Sequence, residues 1–198
     1  IASQFKYNLK DPRDLDAAFR LVFNGGWTHS STGATPNGTN AFADTKLNEN
    51  TIMTLNSTHL SYYSRTNIIG LYCDIGTSSS NQSNIYSNYL GSFYPRIQAV
   101  NSGIAISYNT AAFFLANRVN STQVQGWRNS VKNTLSSTAI NKENLNYYLG
   151  AGNGLSFAVD YSVRQCAFST IGDGLSDTEA ANLYTRVQAY QTALSRQV

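Results

Sequence analysis

The sequence predicts an all-β fold, a two-sheet antiparallel jelly-roll sandwich with one C-terminal α-helix. About ten to twelve short runs of apolar, β-branched and aromatic residues recur along the chain, separated by Gly, Asn, Ser and Pro. We find no internal repeat and no regular alternation of strands with helices, which argues against an α/β architecture. Strands with one apolar face each must bury those faces together, so two sheets should pack face to face.

The only convincing helix is predicted at the end of the chain, over residues 176–198. Ser176 and Glu179 have the spacing of a capping box, in which each side chain accepts a hydrogen bond from the other residue's backbone amide. Apolar residues then recur every three or four positions, at Ala180, Leu183, Tyr184, Val187, Tyr190 and Leu194. A strand at 164–171 and a Gly-Asp-Gly turn at 172–174 precede the helix.

The remaining elements are predicted from alternation and turn residues. Residues 1–12 are a lead-in or an edge strand, 30–40 and 77–84 are loops, 40–50 show little period, and 51–55 are a helical turn or an edge. Pro95 lacks a backbone donor and predicts an edge strand or a bulge. Strands are predicted at 14–24, 27–29, 60–66, 68–75, 89–100, 104–108, 112–119, 145–150 and 157–163, with a hairpin over 124–135 that turns at 128–130.

Length and charge restrict the class of protein. The 198 residues suffice for one domain, assigned to 1–198, and the start at Ile1 suggests the C-terminal part of a longer or processed chain. Only 13% of the residues are charged, the net charge is +3, and no Lys/Arg run occurs, so we expect no nucleic-acid partner. No run approaches the about 18 apolar residues that span a bilayer, so we expect no membrane insertion.

Two cysteines, Cys73 and Cys166, lie in apolar stretches. Free cysteine is among the most buried residue types, so we interpret both as buried free thiols. Two cysteines define no disulfide framework, and the sequence alone does not fix their redox state.

Three stretches in the last third of the chain resemble the concanavalin A-like, LamG-type jelly roll. They are Gly126 to Val131 (GWRNSV), Tyr147 to Gly150 (YYLG), and Cys166 to Tyr184, which contains the pattern Leu-Ser-x-x-Glu. The first departs from the family, because Asn129 is followed by Ser130 and not by Gly. The resemblance implies a calcium site as an open alternative, since LamG relatives often have one, although only Asp14 and Asp16 form an Asp-x-Asp run.

A narrower resemblance links three segments to a domain at the C-terminus of bacteriophage virion proteins. The segments are 17–40, 59–67 and 172–198, and the proteins are tail- or head-fibre-like, mostly from phages that infect Bacteroidota. The resemblance implies a place on the virion surface, contact with other virion proteins, and a homo-oligomer of at least three copies. Extracellular or cell-surface location is the alternative.

The spacing of the candidate catalytic residues does not fit a hydrolase of this fold. Retaining β-glucanases of this fold need a pair of carboxylates on one strand. Of the three glutamates, Glu179 is used by the capping box, and Glu49 and Glu143 have no acid two or five residues away on an apparent strand. A pair drawn from Asp44, Asp74 or Asp160 stays open. His29 and His59 have no spacing typical of a metal ligand or a catalytic base. We therefore assign no catalytic, cofactor-binding or metal-binding residue and expect a protein that is not an enzyme.

Glycan binding is the remaining chemical interpretation. Tyr86, Tyr89 and Tyr94, beside the Ser/Asn loop, and Trp127, near a hairpin tip, are candidate glycan contacts, with packing in the core or between subunits as the alternative. The leading hypothesis is a non-enzymatic virion surface module that attaches to host-surface glycans or decorates the particle. A secreted bacterial lectin or adhesin is the alternative, followed by a glycan-degrading enzyme.

Overall fold

The computed structural model describes residues 5–18, 20–105 and 109–198 and shows a two-sheet β-sandwich with a C-terminal helix. The helices of these ranges are α1 (Glu49–Ile52) and α2 (Asp177–Ala193). The strands are, in chain order, β1 (Val22–Asn24), β2 (Trp27–Ser30), β3 (Gly33–Pro36), β4 (Phe42–Asn48), β5 (Thr58–Ser64), β6 (Ile75–Gly76), β7 (Asn84–Tyr89), β8 (Ser92–Arg96), β9 (Ile104–Ala105), β10 (Ala112–Arg118), β11 (Gln123–Arg128), β12 (Val131–Ser136), β13 (Asn146–Leu149), β14 (Gly152–Asn153), β15 (Ala158–Val159) and β16 (Cys166–Gly172).

Two sheets of seven strands each are formed by the described residues, and this confirms the predicted fold class. Sheet A has the order β1-β4-β13-β6-β7-β8-β9, and sheet B has the order β12-β11-β10-β5-β16-β3-β2. Adjacent strands in both sheets are antiparallel, and β14 pairs with β15 as a separate small ribbon. Neighbours such as β4 and β13 are distant in sequence, so the chain passes repeatedly between the sheets.

The main core lies between the two sheets. Side chains alternate along a strand, so β5 and β10 each direct one set of residues toward sheet A and the other set away from it. The inward set includes Leu60, Tyr62 and Phe114, which are fully buried and belong to the same cluster as Ile85 and Phe93 of sheet A. Gly126 of β11 belongs at this interface because a Cβ there would meet side chains of Phe93, Pro95 and Ile104.

Helix α2 covers the face of sheet B that is turned away from sheet A. Ala180 and Val187 of the helix are buried in a second cluster, with Tyr63, Phe113, Leu115 and Trp127 of the sheet. Sheet B is therefore the middle layer of three. The capping box is confirmed: the Glu179 amide donates to Ser176 Oγ at 3.3 Å, and the Ser176 amide donates to Glu179 Oε2 at 2.8 Å.

The end of the predicted helix differs from the structure. Helix α2 ends at Ala193, before the predicted end at Val198. Tyr190 and Leu194 are 41% and 44% exposed, whereas Gln191 is buried. Tyr190 still contacts Phe168 of β16, with ring centroids 5.9 Å apart, so this apolar side chain of the stripe reaches the sheet but is only partly covered.

The predicted strand over 68–75 is wrong except at its end, where β6 begins at Ile75. Side chains form hydrogen bonds with the backbone groups that would otherwise pair with a neighbouring strand. The Ile68 amide donates to Thr110 Oγ1 at 2.9 Å, and the Ile68 carbonyl accepts from Arg164 Nε at 2.9 Å. The apolar residues at the start of this segment form no buried strand face, because Ile68, Ile69 and Leu71 are 37%, 48% and 47% exposed.

Several other boundaries also differ. The predicted strand at 14–24 is reduced to β1, the predicted loop at 30–40 contains β3, and β4 occupies most of 40–50. The sequence did not predict the polar strand β7, which begins at the last residue of the loop predicted at 77–84. The strand predicted at 157–163 is reduced to β15. Within the lead-in 1–12, Tyr7 forms an isolated β-bridge with Arg20. Positions 1–4 of the lead-in lie outside the described residues. The same holds for positions 106–108 of the strand predicted at 104–108.

The predicted hairpin is confirmed in detail, whereas the edge predicted at Pro95 is confirmed only locally, because β8 lies between β7 and β9. The hairpin β11–β12 turns at Asn129, whose φ of 54° lies in the left-handed region that asparagine tolerates. Pro95 lies in β8 beyond the residues that pair with β9, which contacts only Ser92 and Phe93. On that side the missing proline donor interrupts no ladder, as expected at a sheet edge.

Cys73 and Cys166 are buried free thiols, as predicted. Burial is the main cause of the raised pKa of both thiols. Among the described residues, no helix has the length and apolarity needed to cross a membrane.

A buried ion pair joins the irregular segments at one end of the sandwich. Arg164 and Asp74 are fully buried, with Arg164 Nη1 3.1 Å from Asp74 Oδ2. The guanidinium also donates to the carbonyls of Ile68, at 2.9 Å, and Asn88, at 3.0 Å. Asp74 accepts further hydrogen bonds from the Ser87 amide and the Ser162 hydroxyl, both at 3.0 Å. The pair therefore satisfies polar groups of strand β7 and of the irregular segments around Ile68 and Ser162 at once.

Removing one partner of this pair should destabilise the protein strongly. We expect Arg164→Ala to lower the free energy of unfolding by about 3–5 kcal/mol, because Asp74 would remain buried without its cation. The control is Arg186→Ala on the exposed side of α2, expected to change stability by less than about 0.5 kcal/mol. Urea denaturation measures both, and equal small effects would contradict the assignment.

Candidate functional site

The outer face of sheet A, at β7 and β8, holds a group of aromatic and charged side chains. Tyr86 pairs with Tyr94 across the two strands, and Asn84 pairs with Arg96. Ile85 and Phe93, which directly precede Tyr86 and Tyr94, lie in the core. Because side chains alternate along a strand, Tyr86, Tyr94 and Arg96 lie on the side away from sheet B. We call Tyr86, Tyr89, Tyr94 and Arg96 the tyrosine–arginine cluster.

Arg96 is at the centre of this cluster. Its guanidinium carbon lies 4.7 Å from the ring centroid of Tyr94 and 5.4 Å from that of Tyr86. Both distances are within the range in which an aromatic ring attracts a cation. Arg96 Nη1 also donates to Gln82 Oε1 at 2.7 Å. These contacts hold the guanidinium plane in a defined position before any ligand arrives.

Tyr86 supports the cluster from beneath and is not available to a ligand. The side chain is only 3% exposed, and its hydroxyl donates to Asp160 Oδ2 at 2.6 Å. Burial and this hydrogen bond raise the pKa of Tyr86. The prediction that Tyr86 contacts a glycan is therefore wrong, because the ring is buried beside Arg96. Its role here is to orient the arginine.

Tyr89 and Tyr94 are the members of the cluster that remain partly open. Both are half-buried, and their ring centroids are 6.0 Å apart with a 45° angle between the planes. Tyr89 lies at the end of the β7–β8 hairpin, where it pairs with Ser92 next to a turn formed by Leu90 and Gly91. The structure thus brings together two of the predicted contact residues at one hairpin, beside Arg96.

Trp127 lies in a different part of the molecule. It belongs to β11 of sheet B and is 6% exposed beneath helix α2, in the cluster with Tyr63 and Phe113. The sequence places Trp127 correctly near a hairpin tip, but the helix covers the face onto which it projects. The prediction of a glycan contact at Trp127 is wrong, and the alternative of core packing is correct.

Sequence reasoning missed three residues of this surface. Arg96 and Gln82 were not considered, and Asp160 was considered only as a member of an acid pair. Arg96 follows Tyr94 by two positions and so had to share its face if residues 92–96 form a strand. Asp160 follows the β14–β15 ribbon, whose tip carries Leu155 and Phe157, each 67% exposed. No sequence signal indicated that Asp160 approaches Tyr86, because the two residues are 74 positions apart.

Glu49 is the acid with the most unusual environment. It is fully buried, the Ser83 hydroxyl donates to Glu49 Oε1, and the Glu143 amide donates to Glu49 Oε2 at 3.2 Å. Burial is the main cause that raises the pKa of Glu49 to about 7. A carboxyl group enclosed in this way cannot reach a bound sugar, so its shifted pKa reflects burial rather than catalysis.

The histidines are likewise occupied by structural contacts. His59 is buried, with Nδ1 2.6 Å from the Asp173 carbonyl and Nε2 3.0 Å from Thr170 Oγ1. His29 packs against the rings of Phe5 and Phe23. Within the described ranges no group of three or more His, Cys, Asp or Glu side chains is arranged to hold a metal ion.

A second concave feature opens between the sheets beside β16. This cleft of about 810 Å³ is lined by Leu47 and Leu149 of sheet A and by Cys166 and Ile171 of sheet B. It exists because β16 pairs with β3 only at Cys166 and Ala34, after which the two strands separate. Residues 5–10 lie across the opening of the cleft.

In its fold, the chain is similar to Domain 4 of AbnA, a GH43 extracellular arabinanase from Geobacillus stearothermophilus, in a structure with arabinotriose. The TM-score is 0.55 and the identity 13%, over 84% of this chain and 88% of that one. This likeness supports the two-sheet sandwich and concerns the fold alone. No protein-family model and no curated protein matches the chain.

The burial of Glu49 predicts a measurable effect of pH on stability. The folded protein binds a proton at Glu49 up to about pH 7, whereas the unfolded chain loses it near 4.5, so this group reduces stability as pH rises between those values. We expect the free energy of unfolding of Glu49→Gln relative to the wild type to increase by about 3 kcal/mol between pH 4 and pH 8. Urea denaturation at both pH values measures it, and parallel profiles for the two proteins would contradict it.

Proposed function

We propose that this chain is a non-catalytic glycan-binding module that binds sugars at the tyrosine–arginine cluster. The observation that supports this most directly is Arg96, held over Tyr94 on the outer face of sheet A with Tyr89 beside it. The similar fold of the AbnA domain, in a structure with arabinotriose, supports the same interpretation.

The chemistry of the cluster suits a sugar ring. The C–H groups on one face of a pyranose or furanose are apolar and pack against an aromatic ring, while the hydroxyl groups at its edge need hydrogen-bond partners. Tyr89 and Tyr94 offer half-buried rings, and Arg96 and Gln82 offer polar groups at the same place. Binding sites for small ligands combine apolar and aromatic walls with a few fixed polar groups in this manner.

The carboxylates of the described residues favour binding over hydrolysis. Glycoside hydrolysis requires two acids that flank the scissile bond. Asp44 Oδ2 lies 3.0 Å from Lys46 Nζ, Asp74 is paired with Arg164, and Asp160 accepts a hydrogen bond from Tyr86. None of the three combinations left open by the sequence faces a groove as a pair of free acids.

We further propose that the module is displayed on the surface of a phage particle, as part of a fibre or capsid appendage and as a homo-oligomer. The support is the resemblance of segments 17–40, 59–67 and 172–198 to C-terminal domains of virion proteins. A secreted lectin or adhesin would use the same cluster, so the ligand chemistry does not separate the two locations. Detection of the polypeptide in purified phage particles would support the first and its absence there would contradict it.

The glycan-binding proposal is tested by removing the open tyrosines. On a glycan array, followed by calorimetry with a glycan that binds, we expect Tyr94→Ala and Tyr89→Ala each to weaken binding about tenfold, because loss of a buried aromatic contact costs more than about 1 kcal/mol. The control is Tyr190→Ala, which removes a 41% exposed tyrosine from helix α2 and should leave the affinity unchanged.

Two results would overturn the proposal. One is the absence of binding to every glycan of the array by the folded wild-type protein, which would favour a decorating role on the particle. The other is unchanged affinity in both cluster variants, which would move the ligand to another surface.

A further inference from the structure

We propose that the sugar recognised at the tyrosine–arginine cluster carries a carboxylate, as uronic and sialic acids do, and that Arg96 binds this carboxylate. The inference rests on the proposed glycan-binding function and specifies its ligand class. It starts from the unused hydrogen-bonding capacity of Arg96.

Arg96 uses little of its donor capacity within the protein. A guanidinium has five N–H donors. On Arg96 only Nη1 has a partner among the described residues, namely Gln82, and Nε is buried without one, so the unpaired donors that a ligand can reach belong to the Nη groups. The buried Arg118, by contrast, donates through Nε, Nη1 and Nη2 to the Ile97 and Ser137 carbonyls and to the Ser137 hydroxyl. An arginine whose only role is structural would be expected to resemble Arg118.

The charge of Arg96 is also uncompensated. Among the described residues no carboxylate lies within ion-pair distance of Arg96. Asp160 is the acid of this surface, and its carboxylate accepts the hydrogen bond from Tyr86 rather than one from the guanidinium. A half-buried cation with no acid partner attracts an anionic ligand group more strongly than a neutral one.

The geometry favours a planar anion in particular. The rings of Tyr86 and Tyr94 fix the guanidinium, so its remaining N–H groups point in set directions. Arginine binds a carboxylate through two parallel hydrogen bonds when its plane is fixed in this way. Tyr94 and Tyr89 then adjoin the bound group and can contact the sugar ring that carries it.

The test compares matched acidic and neutral glycans. Oligogalacturonate, oligoglucuronate and sialylated oligosaccharides would be immobilised beside their carboxyl-reduced or desialylated counterparts. We expect at least one acidic member to bind about tenfold more tightly than its neutral counterpart, since a charge-assisted hydrogen bond is lost with the carboxylate. The affinity should also fall as the salt concentration rises.

Two variants assign the preference to Arg96. Arg96→Gln should abolish it, and Arg96→Lys should retain part of it, because a lysine keeps the charge but not the planar pair of donors. Arg128→Gln is the matched control: Arg128 is half-buried on sheet B and has no acid partner among the described residues, and its loss changes the net charge equally. Thermal unfolding would confirm that each variant is folded.

The outcomes separate this inference from the proposed function. Tyr94-dependent binding of neutral glycans, with no preference for their acidic counterparts, would overturn the carboxylate inference and leave the proposed function in place. A preference for acidic glycans that persists in Arg96→Gln would also overturn the carboxylate inference. Absence of binding to every member of the panel and of the wider array would overturn both.

Discussion

The buried ion pair of Arg164 and Asp74 is the contact on which the arrangement of this sandwich depends. A charge in the interior is tolerated only when it is paired and its remaining hydrogen-bonding groups are satisfied. Arg164 meets that condition by binding the carbonyl of Ile68, in a segment that belongs to no sheet, and the carbonyl of Asn88 in β7. The pair therefore fixes non-repetitive backbone at the same end from which β6 and β16 start, and these strands lie in different sheets.

That arrangement explains which elements could be predicted from the sequence. Helix α2 and the hairpin at Asn129 depend on neighbouring residues, so local patterns sufficed to predict them. The segment 68–75 has the apolar residues of a strand, yet its backbone bonds to Arg164 and Thr110, which are distant in sequence. The strands β3 and β7 were missed for the opposite reason: they are polar, and only pairing with their neighbours defines them.

The candidate site shows the same limit at the level of side chains. Composition directs attention to tyrosines around position 90, and burial divides them, because Tyr86 lies under Arg96 while Tyr89 and Tyr94 remain partly open. Trp127 has the chemistry of a sugar contact and is covered by a helix that begins about fifty positions later in the chain. Arg96 was overlooked because an isolated arginine has no distinctive sequence pattern, and its stacking becomes visible only in three dimensions.

The two broad sides of the molecule differ, because helix α2 covers only one of them. One side is closed by the helix over sheet B, and the other presents Arg96 and its tyrosines. Copies mounted on a common support through their helical sides would all point their arginines outward in one direction. Under the proposed function, weak individual contacts would then add up across a dense carbohydrate coat, since avidity grows when several sites engage together.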